Sequence, residues 1–207
     1  MFSHVEMTPV FPTCVWLHEV AAAATINPPM LAEVGRLMAC EASKAKVAGT
    51  WQSGGELYRN AAFEPLVQLA AEAAKGVVRF LAWACEGLQI TDMWANVNHT
   101  GHGARPHTHP NNFLAGVYYL QVPPESGELV LYDPRPAANV LAPAVRERNV
   151  YNMARQAIQA QDGRLVIFPA WLQHSVVPNR SPVDRISIAF NFALKGLIGG
   201  ESGRVHF

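Results

Sequence analysis

The alternating run RISIAFNFAL, residues 185–194, predicts a β-strand with two different faces. One face is large and apolar: Ile186, Ile188, Phe190 and Phe192. The other face is polar or small: Arg185, Ser187, Ala189 and Asn191. If this second face lines the interior of a small barrel, Arg185 needs a partner, because an unpaired buried guanidinium is costly. A ligand carboxylate would supply one, held in a bidentate pair by Arg185 and in a hydrogen bond by the Ser187 hydroxyl.

Short β-rich runs fill the chain from about residue 88 onward. They include DMWANVN, NFLAGVYYLQVP, GELVLYDP, GRLVIFPAW and HSVVP, and Gly, Pro or Asn punctuates them. Before them, residues 29–48 and 61–86 show helix-forming composition with apolar residues at helical spacing. Many short strands after two helices predict a sandwich or barrel with the helices packed outside.

The domain organisation follows from the same pattern. We expect a single domain over residues 1–207, with an N-terminal strand and helices to about residue 87 and a β core over about residues 88–195. Asn27 with two following prolines marks the start of the first helix, and Pro65 fits the first turn of the second. Residues 49–60 are predicted as a loop. The stretch 135–160 is a long insertion between strands, and its length suggests a flap or lid.

Charge and composition argue against several classes of partner. Acidic and basic residues balance at 16 each, so no strong field would attract nucleic acid or an anionic membrane. The first 20 residues lack the features of a secretory signal, and no apolar run approaches the roughly 20 residues of a membrane span. Cys14, Cys40 and Cys85 are odd in number and scattered, which argues against a disulfide framework. We therefore expect a cytoplasmic protein without a nucleic-acid or membrane partner.

Three histidines are candidate metal ligands. His107 and His109 lie two residues apart in ARPHTHPNNF, so an extended backbone would point both imidazoles to one side. His174 follows a predicted strand and precedes the alternating run. His99 and His102 lie in the Gly-containing segment NVNHTGHGAR, where we expect surface or substrate-facing roles rather than metal ligation.

The order of these motifs resembles the Fe(II)- and 2-oxoglutarate-dependent dioxygenases, whose fold is a double-stranded β-helix, also called a jelly-roll. HTHPNNFLAGVYYL is similar to the first metal-ligand motif of the prolyl-hydroxylase branch. HSVVPNRSPVDRISIAFNF is similar to the segment with the distal histidine and the co-substrate arginine. With SGELVLYDPR and FPAWLQHSV included, the chain most closely resembles a poorly characterised group of oxygenases in this superfamily. The resemblance covers about residues 94–192.

The resemblance implies roles for individual residues. His107 corresponds to the first histidine of the family's His-x-Asp/Glu motif, and His174 corresponds to the distal histidine. The residues implied to bind 2-oxoglutarate are Arg185 on its distal carboxylate, Tyr118 and Ser187 through hydrogen bonds, and Asn98 or Asn96 from the preceding strand. Tyr119 is expected to point the other way, and Phe168 and Trp171 are expected to be packing residues.

His109 stands where the family normally has a carboxylate. In a facial triad, two histidines and one carboxylate bind Fe(II) and leave positions open for other ligands. A third neutral imidazole would leave the site more cationic. Asp133 in LYDPR is an alternative third ligand, although an acid before a proline is common in turns. We keep His107, His109 and His174 as the metal set.

The implied function is hydroxylation of an unidentified small-molecule or amino-acid-type substrate, with Fe(II), 2-oxoglutarate and O2. One alternative is a three-histidine, cupin-like metalloenzyme that does not use 2-oxoglutarate, although Arg185 and Ser187 then have no obvious task. Another is a non-catalytic jelly-roll binding domain, which the missing carboxylate at position 109 favours. Substrate selectivity is expected in the loops at 49–60, 98–106 and 135–160. The sequence is compatible with a homodimer but does not indicate one.

Overall fold

Two large antiparallel sheets and two long helices dominate the structure. It is a computed structural model, and it describes residues 2–40, 49–135, 140–141, 143–199, 203 and 205–206. The helices are α1 Ala23–Cys40 and α2 Glu64–Phe80. The strands are β1 Trp16–Glu19, β2 Thr50–Gln52, β3 Gly87–Asn98, β4 Ala104–His107, β5 Leu114–Gln121, β6 Leu129–Tyr132, β7 Arg155–Ile158, β8 Arg164–Pro169, β9 His174–Val176, β10 Arg185–Lys195, β11 Leu197–Ile198 and β12 Val205–His206.

The strand order is that of a jelly-roll. One sheet has the order β1-β8-β5-β10-β3-β2, and the other has the order β4-β9-β6-β7. From β3 to β10 the chain passes back and forth between the two sheets, apart from the adjacent pair β6 and β7, while β1 and β2 extend the larger sheet at its two edges. The predicted double-stranded β-helix with helices outside is confirmed.

Strand β10 lies between β3 and β5, and its two faces contact different parts of the protein. Ile188, Phe190 and Phe192 belong to the core in which α1 and α2 cover the larger sheet. Ser187 and Ala189 face the space between the two sheets. The alternation predicted for residues 185–194 therefore divides the helix-covered core from the jelly-roll interior.

Helix α1 begins six residues before the predicted start at residue 29, and Pro28 and Pro29 lie inside it. Asn27 is buried and ties this helix to β5, because its Nδ2 donates to the Leu120 carbonyl at 3.2 Å and its Oδ1 accepts from the Tyr118 hydroxyl at 2.7 Å. This tertiary anchor fixes the first turns of the helix, so the prolines do not mark its start. Positions 41–48 of the predicted helix lie outside the described residues.

Helix α2 has Pro65 in its first turn as predicted, but it ends at Phe80 rather than near residue 86. Ala82 adopts a left-handed conformation, with φ of 50°, and the Trp83 N–H donates to the Val78 carbonyl at 3.1 Å. This is a Schellman-type helix end, a motif that glycine usually provides. Because alanine occupies the position here, the sequence carries no strong stop signal.

Two segments predicted as irregular contain strands. Thr50–Gln52 in the predicted loop at 49–60 forms β2, which pairs with the end of β3. Arg155–Ile158 in the insertion at 135–160 forms β7, which pairs with β6. Both strands are too short for their own sequence to show a period, so pairing with a longer neighbour defines them. Residues 136–139 and 142 of the insertion lie outside the described residues, and its lid role stays a prediction.

No helix among the described residues combines the length and the apolar composition that a membrane crossing needs. Cys14, Cys40 and Cys85 are free thiols, as expected for a chain without a disulfide framework.

Gly116 lies at the centre of the larger sheet, directly opposite Phe190 on β10. A Cβ at this position would overlap the Phe190 ring and lie 2.9 Å from the Val166 carbonyl oxygen. We expect Gly116→Ala to lower the free energy of unfolding by about 1–3 kcal/mol, because this overpacking must displace a ring or the backbone. Urea denaturation measures the change.

The matched control is Gly35→Ala on the exposed side of α1, where an added Cβ has no atom within 4 Å. It should raise the free energy of unfolding by about 0.5–1 kcal/mol, because alanine loses less backbone entropy in a helix. Equal stability of the two variants would contradict the close packing of β5 on Phe190.

Candidate active site

The pairing of β4 with β9 brings the three histidines together. His107 at the end of β4 lies opposite His174 at the start of β9, and the His109 N–H donates to the Ala170 carbonyl at 2.9 Å. The candidate ligand nitrogens of all three lie within 4.8 Å of one another, and Nε2 of His109 is 3.2 Å from Nε2 of His174. Two imidazole nitrogens bound at right angles to one ion lie about 3 Å apart, so this spacing fits a shared metal.

Backbone carbonyls set the tautomers of two of these histidines. Nδ1 of His107 donates to the Arg105 carbonyl at 2.7 Å, and Nδ1 of His174 donates to the Leu172 carbonyl at 2.9 Å. A carbonyl oxygen can only accept, so the proton of each neutral ring is on Nδ1. The lone pair is then on Nε2, the atom that a metal would bind.

Burial keeps two of the rings neutral. It lowers the pKa of His109 to about 4, and the neighbouring His107 lowers that pKa further. Burial also lowers the pKa of His174 to about 4, partly opposed by the bond to Leu172. Near pH 7 neither ring needs to lose a proton before it binds a cation.

Asp133 does not join this group. Its carboxylate accepts from Arg135, at 2.8 Å from Nη2 and 3.0 Å from Nε, and this hydrogen bonding lowers the pKa of the acid. Within the part of the chain that the structure describes, the group able to hold a metal consists of His107, His109 and His174. The alternative of Asp133 as third ligand therefore has no geometric support.

A cavity of about 120 Å³ lies between the two sheets beside the histidines. The larger sheet contributes most of its walls, through the inward-facing residues of β2, β3, β5 and β10. The polar and aromatic residues that line it are Thr50, Gln52, Trp94, Asn96, Asn98, Tyr119, Phe168, Arg185 and Ser187, together with the three histidines.

Arg185 is a buried cation without an acidic partner. It is 2% exposed, and its Nη2 donates to Asn98 Oδ1 at 2.7 Å. Nη1 is 3.5 Å from the carbonyl oxygens of Ser126 and Gly127, and Nε has no hydrogen-bond partner. Among the described residues no carboxylate forms an ion pair with it, and burial lowers the pKa of the guanidinium. The cavity thus presents fixed cationic donors to an anion.

Residues 92–191 match a protein-family model described as "Putative 2OG-Fe(II) oxygenase". This matched segment contains the three histidines and Arg185, and it identifies that part of the chain as an Fe(II)- and 2-oxoglutarate-dependent oxygenase. No curated protein sequence matches it.

Solved structures with the same fold include several members of this superfamily. A prolyl-4-hydroxylase from Pseudomonas putida aligns with a TM-score of 0.64 and 15% identity, over 89% of this oxygenase and 94% of that chain. HygX from Streptomyces hygroscopicus, solved with nickel, 2-oxoglutarate and hygromycin B, aligns with a TM-score of 0.61 and 13% identity, over 87% of this chain and 83% of that one. The carbocyclase SnoK from nogalamycin biosynthesis has a TM-score of 0.63 and 15% identity, over 87% and 79%. At these identities the likeness shows the fold.

The two tyrosines of β5 face the opposite sides from those implied by the sequence. Tyr118 faces the helices of the oxygenase, where its hydroxyl donates to Asn27, so the prediction that it binds the co-substrate is wrong. Tyr119 lines the cavity and lies opposite Ser187 in the β5–β10 ladder. Burial raises the pKa of Tyr119 to about 12, so its hydroxyl stays protonated and can donate.

Some of the other candidate residues line the cavity, and others lie outside it. Ser187 and Asn98 are buried and line the cavity, and Phe168 packs its ring edge against His174 with centroids 4.7 Å apart. His99 pairs with Asp184 at 2.8 Å, and His102 Nδ1 donates to the Thr100 carbonyl at 2.9 Å. Neither of these two histidines belongs to the metal group or the cavity lining of the described residues.

Sequence reasoning missed two cavity residues of β2 and one of β3. Thr50 and Gln52 face the cavity on either side of the buried Trp51, and Trp94 faces it from β3. The alternation within DMWANVN could have placed Trp94 beside Asn96. Three residues of β2 are too few for such a signal.

Phenylalanine variants separate the two tyrosines. Tyr118→Phe should lower the free energy of unfolding by about 1 kcal/mol, because it leaves the Asn27 acceptor unpaired, and it should not change the affinity for 2-oxoglutarate. Tyr119→Phe should weaken 2-oxoglutarate binding about fivefold, the effect of one lost hydrogen bond, with little change in stability. Urea denaturation and calorimetric titration measure the two effects. The reverse pattern would restore the role implied for Tyr118.

Proposed function

We propose that this oxygenase binds Fe(II) through His107, His109 and His174 and hydroxylates an unidentified substrate with 2-oxoglutarate and O2. One observation carries the proposal: the buried Arg185, which has no acidic partner among the described residues, lines the same cavity as the three histidines. A dicarboxylate would satisfy both ends of this cavity, because one end can reach a metal and the other can reach the guanidinium.

The residues around Arg185 are suited to hold the distal carboxylate of 2-oxoglutarate. Asn98 fixes the guanidinium from one side, and Asn98 Nδ2 lies 3.3 Å from Thr50 Oγ1. Ser187 and Tyr119 lie opposite each other on neighbouring strands and can add hydroxyl donors. We assign Arg185, Ser187 and Tyr119 to direct binding, and Asn98 to positioning the arginine.

When bound, the metal and the co-substrate supply oxidation of an unactivated C–H bond by O2, with conversion of 2-oxoglutarate to succinate and CO2. The contribution of this chain is to bind, to orient and to exclude water. The carbonyls of Arg105 and Leu172 orient two of the imidazoles, and Phe168 with Leu129 and Val176 forms apolar wall around them. These functions keep the reacting groups aligned and dry.

The absence of an acidic residue from the cavity lining of the described chain favours a second candidate function. In this alternative the protein is a three-histidine metalloenzyme that does not use 2-oxoglutarate. This alternative leaves the buried Arg185 guanidinium without an anionic partner among the described residues. We therefore prefer the 2-oxoglutarate-dependent oxygenase.

We further propose a cytoplasmic location and a small-molecule or amino-acid-type substrate. The three free thiols support a reducing compartment, and the balanced charge gives no support to a nucleic-acid partner. A homodimer is compatible with this proposal, but the proposal does not depend on one.

The first test is anaerobic titration of the Fe(II)-loaded protein with 2-oxoglutarate, monitored by the weak visible charge-transfer band of the chelate. We expect the band in the wild type. Arg185→Leu should retain iron but weaken 2-oxoglutarate binding at least about tenfold, because a charge-assisted bond to the distal carboxylate is lost. Arg59→Leu is the matched control, since that arginine is exposed, pairs with Glu56 and does not line the cavity. Iron without a band in the wild type would favour the second candidate, and a band only in His109→Asp would identify the third histidine as the cause.

The metal set has its own test. His174→Ala should reduce Fe(II) binding to less than a tenth of the wild-type affinity, because a ligand held by the Leu172 carbonyl is removed. Equilibrium dialysis with iron analysis measures it. His102→Ala is the control and should bind like the wild type, since its ring bonds to Thr100 outside the metal group. Retained affinity in His174→Ala would refute the ligand assignment.

A further inference from the structure

One polar cluster in the cavity has no task in the proposed reaction. It comprises Gln52 on β2 with Trp94 and Asn96 on β3, and we call it the amide cluster. All three side chains are partly buried and line the cavity. Gln52 and Asn96 are directly opposite each other in the β2–β3 ladder.

The hydrogen bonds of the amide cluster fix which atoms it offers. Gln52 Nε2 donates to Asn96 Oδ1 at 2.7 Å, and Trp94 Nε1 donates to the same oxygen at 3.2 Å. The indole N–H can only donate, so the atom of Asn96 that faces it must be the oxygen. The Asn96 NH₂ group and Gln52 Oε1 then have no hydrogen-bond partner among the described residues. The cluster therefore offers an NH₂ group as donor and a carbonyl oxygen as acceptor, from two residues that lie directly opposite each other.

The amide cluster lies close to the metal ligands. The Trp94 ring centroid is 5.9 Å from that of His109, and Asn96 is the next residue of β3 on the same face. Along β10, Arg185 lies opposite Asn98, whereas Ala189 lies opposite Trp94. A molecule bound at the cluster would thus lie beside the histidines, at the β2 edge of the larger sheet and displaced from the guanidinium.

The cavity around the cluster favours an uncharged ligand. Its lining contains no Asp, Glu or Lys among the described residues, and its arginine is assigned to the co-substrate. A cationic substrate would meet no counter-charge, and an anionic one would compete with 2-oxoglutarate for Arg185. A neutral polar group pairs with the cluster without either cost.

We propose that the amide cluster binds a carboxamide or peptide bond of the primary substrate. Asn96 Nδ2 donates to the carbonyl of that group, Gln52 Oε1 accepts from its N–H, and the Trp94 ring packs against the adjoining carbon atoms. This inference rests on the proposed function and names its substrate class. It places the C–H groups next to the amide within reach of the metal centre.

The experiment compares two probes that differ in one hydrogen-bond donor. N-methylpropanamide has one carbonyl and one N–H, and methyl propanoate replaces that N–H by an ester oxygen. Calorimetric titration of each probe is done anaerobically on the full chain, with Fe(II) alone and with Fe(II) and 2-oxoglutarate. Binding is measured without turnover, so its outcome is separate from that of the charge-transfer titration.

The wild type should bind the amide about fivefold more tightly than the ester, the effect of one net hydrogen bond. Gln52→Leu should remove this preference, because it deletes the acceptor for the N–H. Asn96→Leu should weaken both probes alike, because both retain the carbonyl. The matched control Gln68→Leu, on the exposed side of α2, should behave as the wild type.

Three results would overturn the amide assignment: no binding of either probe, equal binding of amide and ester by the wild type, or an unchanged preference in Gln52→Leu. A loss of 2-oxoglutarate affinity in Asn96→Leu, with probe binding intact, would instead assign the cluster to the co-substrate. If the charge-transfer band is absent but the amide preference is present with Fe(II) alone, the oxygenase proposal fails and the amide subsite stands.

Discussion

The hydrogen-bonded position of β10 between β3 and β5 is the constraint on which the rest of the structure depends. A side-chain period of two divides this strand between a core covered by helices and a cavity with polar walls. Ile188, Phe190 and Phe192 are buried against the helical layer, and Arg185 and Ser187 face inward. A slip of one residue would place aromatic rings in the cavity and turn the guanidinium toward the helix-covered core. The burial of the aromatic face therefore fixes the direction of the arginine.

The smaller sheet carries the candidate metal centre on short strands. β4 and β9 have four and three residues, and their ladder changes register between Ala104 and His107. His107 and His174 nevertheless lie opposite each other, and the following turn returns His109 to the same place. A metal bound by all three would join β4, β9 and the turn that follows β4, so metal binding and the order of this sheet are coupled.

Sequence reasoning predicted the features that a long periodic signal or a strong chemical requirement defines. The strand at 185–194 and the grouping of the three histidines belong here, whereas the jelly-roll class came from the family resemblance. It failed where the deciding contact was remote in sequence. The segment VYYL is compatible with either tyrosine facing the cavity. Only the pairing of Tyr119 with Ser187 determines that Tyr119 is the one that does so. In the same way, Asn27 anchors α1 earlier than its prolines suggest, and β2 exists because β3 offers it an edge.

The all-histidine ligand set also affects the order in which molecules can enter the cavity. Neutral imidazoles bring no negative charge to the site, so a divalent ion held here would keep its full double charge beside the two largely buried rings of His109 and His174. The ion and Arg185 together would attract a dianion strongly. They would attract a neutral amide much less. A dicarboxylate that binds first would cancel two of these three positive charges, so an uncharged substrate would then meet a much weaker field. Replacing one histidine by an acid would lower the positive charge of the site and weaken its preference for the dianion over a neutral molecule.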